Sequence, residues 1–281
     1  RIAEAMTSRT QAILCVHQIG MPCDLAGVLR VAREHGVPVV EDAACAIGSQ
    51  ILIGEQWRRI GAPQGDIVCF SFHPRKVVTT GEGGMLTTNR AEFDAFFRLA
   101  RQHGMSVPDA VRHASPQVIF EEYPLSGFNY RMTDLQAAIG RQQLRRLPEI
   151  LARRRNLAQR YRVLLSSIPS VTLPVEPPWA RSNWQSFAVR LDPRHDQRAV
   201  MQHMLDRGIA TRRGVMCAHL EPAYADHELR HALPLSEAAQ RHAILLPLFP
   251  QMTDEMQQQV AGALREALVA ASPRRMNEVM H

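Results

Sequence analysis

The chain has 281 residues, 46% of them hydrophobic, enough to bury a substantial core as one large domain with a smaller one. A net charge of +6 admits anionic partners, but aromatics make up only 6% of the residues and do not interleave with the basic ones, which argues against a nucleic-acid platform. No apolar run is long enough to span a membrane, and the opening RIAEAMTSRTQAILCVH lacks the layout of a secretory signal, so no membrane partner is expected and the expected location is cytoplasmic.

Strands and helices alternate from residue 11. QAILCVH reads as a buried strand, DLAGVLRVAREHG as a helix ending at Gly36, VPVVEDA, DIVCFSF and GGMLTT as further strands, and AEFDAFFRLARQHG as a helix. This βαβ alternation predicts an α/β fold, a mainly parallel sheet with helices on both faces. Residues 107–127 read as a loop, and MTDLQAAIGRQQLRRL as helical. In RRLPEILARRRNLAQRYR, the spacing of Ile150, Leu157, Tyr161 and Leu164 predicts an amphipathic helix, with Pro148 in its first turn and the arginines on a solvated face. Proline punctuation near LPVEPPWARSN divides a large domain, 1–168, from a small C-terminal α/β domain, 169–281. There SFAVRLD and IATRRG read as strands, DQRAVMQHMLDRG as a helix, ILLPLF as an apolar segment, and TDEMQQQVAGALREALVAA as a closing helix with Thr253 as N-cap.

The five cysteines, Cys15, Cys23, Cys45, Cys69 and Cys217, are odd in number and lack CxxC spacing, and no HExxH pair occurs; neither a disulfide framework nor a metal site is expected. The basic residues are more telling. Of 33 lysines and arginines only Lys76 is a lysine. Arginine replaces lysine for surface charge but not where an amine must lose its proton and attack a carbonyl. Ligands of open α/β sheets sit beyond the carboxyl ends of the strands. There VPVVEDA delivers Glu41 and Asp42, and DIVCFSF delivers Ser71 with Lys76 five residues on. An acid at one strand end and an amine at its neighbour suit pyridoxal 5'-phosphate: the amine makes the Schiff base and the acid keeps the pyridine nitrogen protonated. TTGEGG is a backbone able to turn sharply beside a ligand. Strand alternation sends Glu41 to the face opposite Asp42 and so away from this chemistry.

VPVVEDAACAIGS, GDIVCFSFHPRKVVTTGEGGMLTT, GFNYRMTDLQAAIGRQQLRRL and GIATRRGVMCAHLEPAY, in this order and spacing, resemble the DegT/DnrJ/EryC1/StrS family of sugar aminotransferases nearly end to end. The resemblance implies the fold-type-I large domain, a homodimer with shared active sites, and transfer of an amino group from glutamate to a keto-sugar linked to a nucleotide. It implies that Lys76 is the catalytic lysine, Asp42 the pyridinium partner, Ser71 a phosphate ligand, and Asn129 a ligand for the phosphate of the neighbouring subunit. The implied cycle is ping-pong, with the freed lysine amine moving the proton as acid and base.

The sequence also departs from the family. Cys45 stands where many relatives place Gln or His against the cofactor ring, and a thiol is a poor donor. VHQIG keeps His17 of a VHLYG-like strand end but loses the aromatic. Relatives carry a long stretch before the position of Arg1, including a helix N-terminus that cradles phosphate, so the sequence reads as a fragment of a longer enzyme or a truncated product. The alternative function is an inactive paralogue or fragment that keeps the fold for subunit pairing. Sugar dehydration, which in relatives goes with histidine at the lysine position, is disfavoured by Lys76. In TRRGVMCAH, Arg212, Arg213 and His219 fit either a substrate diphosphate or surface ion pairs.

Overall fold

Short Val- and Ile-rich runs assemble in the computed structural model, which describes residues 1–226 and 232–271. The chain divides into two units: Arg1–Glu149 with Pro178–Asn183, and Ile150–Pro177 with Trp184–His281.

In the first unit the strands are β1 (Ile13–Val16), β2 (Val39–Asp42), β3 (Gln50–Ile53), β4 (Gln56–Arg59), β5 (Ile67–Ser71) and β6 (Gly84–Thr87). The main sheet runs β1-β2-β5-β6, parallel except for the last pairing. Asp42 lies opposite Val16 on one side and Cys69 on the other, so the carboxyl ends of β1, β2 and β5 share one sheet edge. The β1–β2 crossover is the helix Leu25–His35, started by Asp24, whose carboxylate accepts from Gly27 N at 3.0 Å, and stopped by left-handed Gly36 at φ 65°. Leu25, Val28, Leu29 and Ala32 of that helix pack with Ile13, Val39 and Val68 of the sheet. Full burial of a side chain such as Leu25 contributes about 1.5–3 kcal/mol.

A second small sheet had no counterpart among the sequence expectations. β3 and β4 form a hairpin, Gly54 supplying the positive φ of 61° in its turn, and Ala180–Arg181 pairs with β3. The Arg181 guanidinium stacks on Trp57, 3.9 Å from the ring centroid.

The second unit surrounds a four-stranded antiparallel sheet in which Phe187–Leu191 and Ala243–Leu246 are central, flanked by Val171–Thr172 and Arg212–Arg213. Helices Gln197–Leu205 and Asp254–Ala270 pack on it, and Tyr161, Phe187, Leu191, Met204, Ile244 and Leu264 are fully buried in its core. Thr253 caps the last helix as expected, its hydroxyl accepting from Met256 N at 3.2 Å.

Three sequence expectations are corrected. Asp134–Leu165 is one 32-residue helix that contains Pro148, not two helices with Pro148 in the first turn of the second. Flanking helical turns on both sides hold the proline in place although it removes one backbone bond. The basic face of this helix is not simply solvated. Arg154 is buried and donates to the carbonyls of Trp184, Gln185 and Leu248, and Arg153 donates to those of Pro250 and Met252. Burial lowers the Arg154 guanidinium to about 10. Finally, residues 107–127 include a short helix, Asp109–Ala114.

Candidate active site

β2 and β5 are neighbours and parallel, so Asp42 and Ser71, each the last residue of its strand, emerge on the same edge. The Asp42 carboxylate accepts from Ala44 N at 2.9 Å, an Asx turn that bends the chain away just past the strand. Cys69, opposite Asp42 in the register, is pushed up, first by burial and then by the Asp42 charge. The Ser71 hydroxyl accepts from His73 N at 3.4 Å.

Glu41 sits elsewhere, as the alternation of the strand requires. It is 1% exposed and accepts from Gly65 N at 2.8 Å and Gln64 N at 3.3 Å, and its other oxygen lies 3.1 Å from Nε2 of the fully buried His17. Burial works against the His17 imidazolium, but hydrogen bonds to Cys23 and Glu41 outweigh it and raise the imidazole to about 9. Glu41 therefore ties the β1 end and the 64–65 loop together beneath the sheet edge.

Beyond β5 the chain turns at 73–76, where Lys76 N donates to His73 O at 2.9 Å. The turn sends the Lys76 amine back to the β2 end, where Nζ donates to Cys45 Sγ at 3.2 Å. Cys45 is three residues beyond Asp42, so the lone lysine meets the segment that carries the acid. Asn183 fixes that segment: its Nδ2 donates to Cys45 O at 2.8 Å and Ile47 O at 2.9 Å, and its N donates to Ser49 Oγ at 3.0 Å. Sequence reasoning missed Asn183, which lies more than a hundred residues away in a stretch marked only by prolines. The Gly-rich turn follows, with Gly81 at φ 82° and Gly83 at φ 152°, values that favour glycine. A Cβ at Gly83 would come within 2.7 Å of Thr80 Oγ1, which is held by its bond to Glu82 O.

Asp42, Cys45, Ser71 and Lys76 thus gather around two adjacent strand ends. No hydrogen bond among the described residues joins Asn129 to them. Asn129 forms a β-bridge with Gln102, and its Oδ1 accepts from Arg131 Nε at 3.2 Å. Its neighbours Phe128 and Tyr130 stack with centroids 5.0 Å apart, and both are exposed. In the second unit, Arg213 lies 3.5 Å from Glu221 and His219 3.3 Å from Glu237, the ion-pair arrangement; Arg212 is exposed.

The model of the DegT/DnrJ/EryC1/StrS aminotransferase family matches residues 1–265. The aminotransferase TlmJ from Streptoalloteichus hindustanus is 34% identical, with a TM-score of 0.84 over 96% of this chain and 69% of its own. DesV of S. venezuelae is 32% identical, with a TM-score of 0.83 over 94% of this chain and 67% of its own. Helicobacter pylori PseC, an aminotransferase involved in the biosynthesis of pseudoaminic acid, is 22% identical and shares the fold, with a TM-score of 0.86 over 95% of this chain and 69% of its own.

Proposed function

Because the chain belongs to the DegT/DnrJ/EryC1/StrS aminotransferase family, we propose that it moves an amino group from glutamate to a keto-sugar of a nucleotide-linked deoxyhexose, with pyridoxal 5'-phosphate as cofactor. The observation that carries this reading is the 3.2 Å contact between Lys76 Nζ and Cys45 Sγ, which puts the only lysine at the strand end that bears Asp42.

The donor set fits the cofactor: a carboxylate for a ring nitrogen, an amine for a carbonyl and a hydroxyl for a phosphate, gathered at two adjacent strand ends. When bound, pyridoxal phosphate supplies the carbonyl and an electron-poor ring. Asp42 would hold the proton on the ring nitrogen, an opposite charge within about 4–6 Å shifting such an equilibrium by roughly 1–3 units. Lys76 Nζ would take the proton from the donor's α-carbon and pass it on rather than hand it back, work for an amine that cycles between charged and neutral. Ser71 Oγ would hold the phosphate, and Cys45 would lie against Lys76 where relatives place a stronger donor. We assign Asn129 to the phosphate of a second subunit. The exposed side chains of Phe120, Tyr123, Phe128, Tyr130 and Leu135, its neighbours in sequence, support a homodimer formed through this segment.

The test is direct. Purified chain with pyridoxal phosphate, glutamate and nucleotide-linked keto-sugars should release 2-oxoglutarate, and Lys76→Arg should lose at least about 100-fold of that rate. Undiminished turnover by the arginine variant would contradict the proposal. The same exposed apolar side chains favour a second reading, a chain that serves subunit pairing without turnover; self-association with no 2-oxoglutarate from any acceptor would select it.

A further inference from the structure

Lys76 Nζ and Cys45 Sγ are 3.2 Å apart, both side chains are half-buried, and both backbones are pinned: Cys45 O by Asn183 Nδ2 and Lys76 N by His73 O. A thiol and an amine are therefore held together where a small solute can reach them. The other four cysteines have no lysine available, since the chain contains only one, and a protonated guanidinium is a poor nucleophile.

We propose that Cys45 and Lys76 form an oxidative modification site at which hydrogen peroxide drives a reversible sulfur–nitrogen bond between them. The Cys45 sulfur attacks one peroxide oxygen; the S–O bond forms, the O–O bond breaks, and the leaving hydroxide departs as water with the thiol proton. The sulfenic acid that results is the first rung of cysteine oxidation and condenses with nearby nucleophiles. Neutral Lys76 Nζ then attacks the same sulfur: the S–N bond forms, the S–OH bond breaks, and hydroxide leaves as a second water with one amine proton. Sulfur is oxidised by two electrons, and the peroxide is reduced to water. A dithiol reverses the link: one thiol attacks the Cys45 sulfur, the S–N bond breaks and the amine leaves with the thiol proton, and the second thiol then displaces the Cys45 thiol as the reagent closes to its disulfide. The consequence rests on the proposed function: an amine bonded to sulfur cannot engage a carbonyl, so the link shuts the site until a reductant reopens it. Bound cofactor should in turn protect Cys45.

The experiment treats the cofactor-free chain with hydrogen peroxide, digests it without reductant and maps the peptides by mass spectrometry. The expected result is a Lys76 peptide joined to the Cys45 peptide, about 2 Da lighter than the two together. The free Lys76 peptide should be lost in step and restored by dithiothreitol. Lys76→Arg should give no link and leave Cys45 as a sulfenic acid trapped by dimedone. Oxidation of Cys45 in the unaltered chain with the Lys76 peptide still free would overturn the inference, as would a Cys45 that stays reduced while other cysteines oxidise. Neither outcome depends on a variant folding. If Lys76 takes pyridoxal phosphate but never joins Cys45, only this inference falls. If the link forms but Lys76 takes no cofactor, the functional reading falls instead.

Discussion

Glu41 and Asp42 are adjacent carboxylates with opposite surroundings. Asp42 ends its strand at the carboxyl end of the sheet, whereas Glu41 is buried and satisfies His17 and two backbone N–H groups. The period of a strand was enough to separate them from sequence. The partner of each was not legible, because His17 lies 24 residues from Glu41 and Cys45 lies 31 residues from Lys76, spans that only the folded sheet closes. The two acids should respond differently to mutation. Glu41→Leu keeps the bulk but strands a buried imidazole and the Gly65 N–H, and should cost about 3–5 kcal/mol in urea unfolding. Asp42→Asn should change stability by less than about 1 kcal/mol while abolishing cofactor binding by absorbance titration. Equal stability losses would contradict the division of roles.

At the scale of elements, the helix Asp134–Leu165 shows what periodicity conveys and what it leaves out. The 3.6-residue spacing placed Ile150, Leu157, Tyr161 and Leu164 on the buried face; the first three are buried and Leu164 is half-buried. It could not show that Arg154 also faces inward, because the carbonyls that compensate its charge come from residues 30 to 94 positions away. Arg154→Ala removes a donor from three carbonyls, those of Trp184 and Leu248 in buried bonds, and should destabilise by about 2–4 kcal/mol, against about 0.5 kcal/mol or less for exposed Arg146→Ala. Thermal melts of the two variants check this, and similar melting temperatures would refute it. Pro148 is exposed within the helix and supplies no N–H. Pro148→Ala restores that donor and should raise the melting temperature, the gain bounded by the roughly 3 kcal/mol that an interior proline costs; a fall would mean that the proline sets a bend the fold needs.

For the whole molecule, βαβ alternation made the parallel sheet readable, while the β3–β4 hairpin and the return of Pro178–Asn183 to the first unit were not. A two-residue strand is too short to carry a period, and its register comes from pairing with a distant segment. The main sheet has β1 and β6 as its edges, with Leu14, Val16, Met85 and Leu86 exposed on them. Exposed apolar side chains on an edge strand, like the exposed aromatic residues at Phe128 and Tyr130, are of the kind that associate. Light scattering across a concentration series should show a mass that rises with concentration above the 31.6 kDa of one chain. A constant single-chain mass would count against the homodimer.

The central claim is that the single lysine is the amine that meets the cofactor. The chain is incubated with pyridoxal 5'-phosphate, reduced with borohydride, digested and mapped. The account predicts one phosphopyridoxyl adduct, on Lys76, absent from Lys76→Arg. No adduct, or one confined to the N-terminal amine, would contradict it.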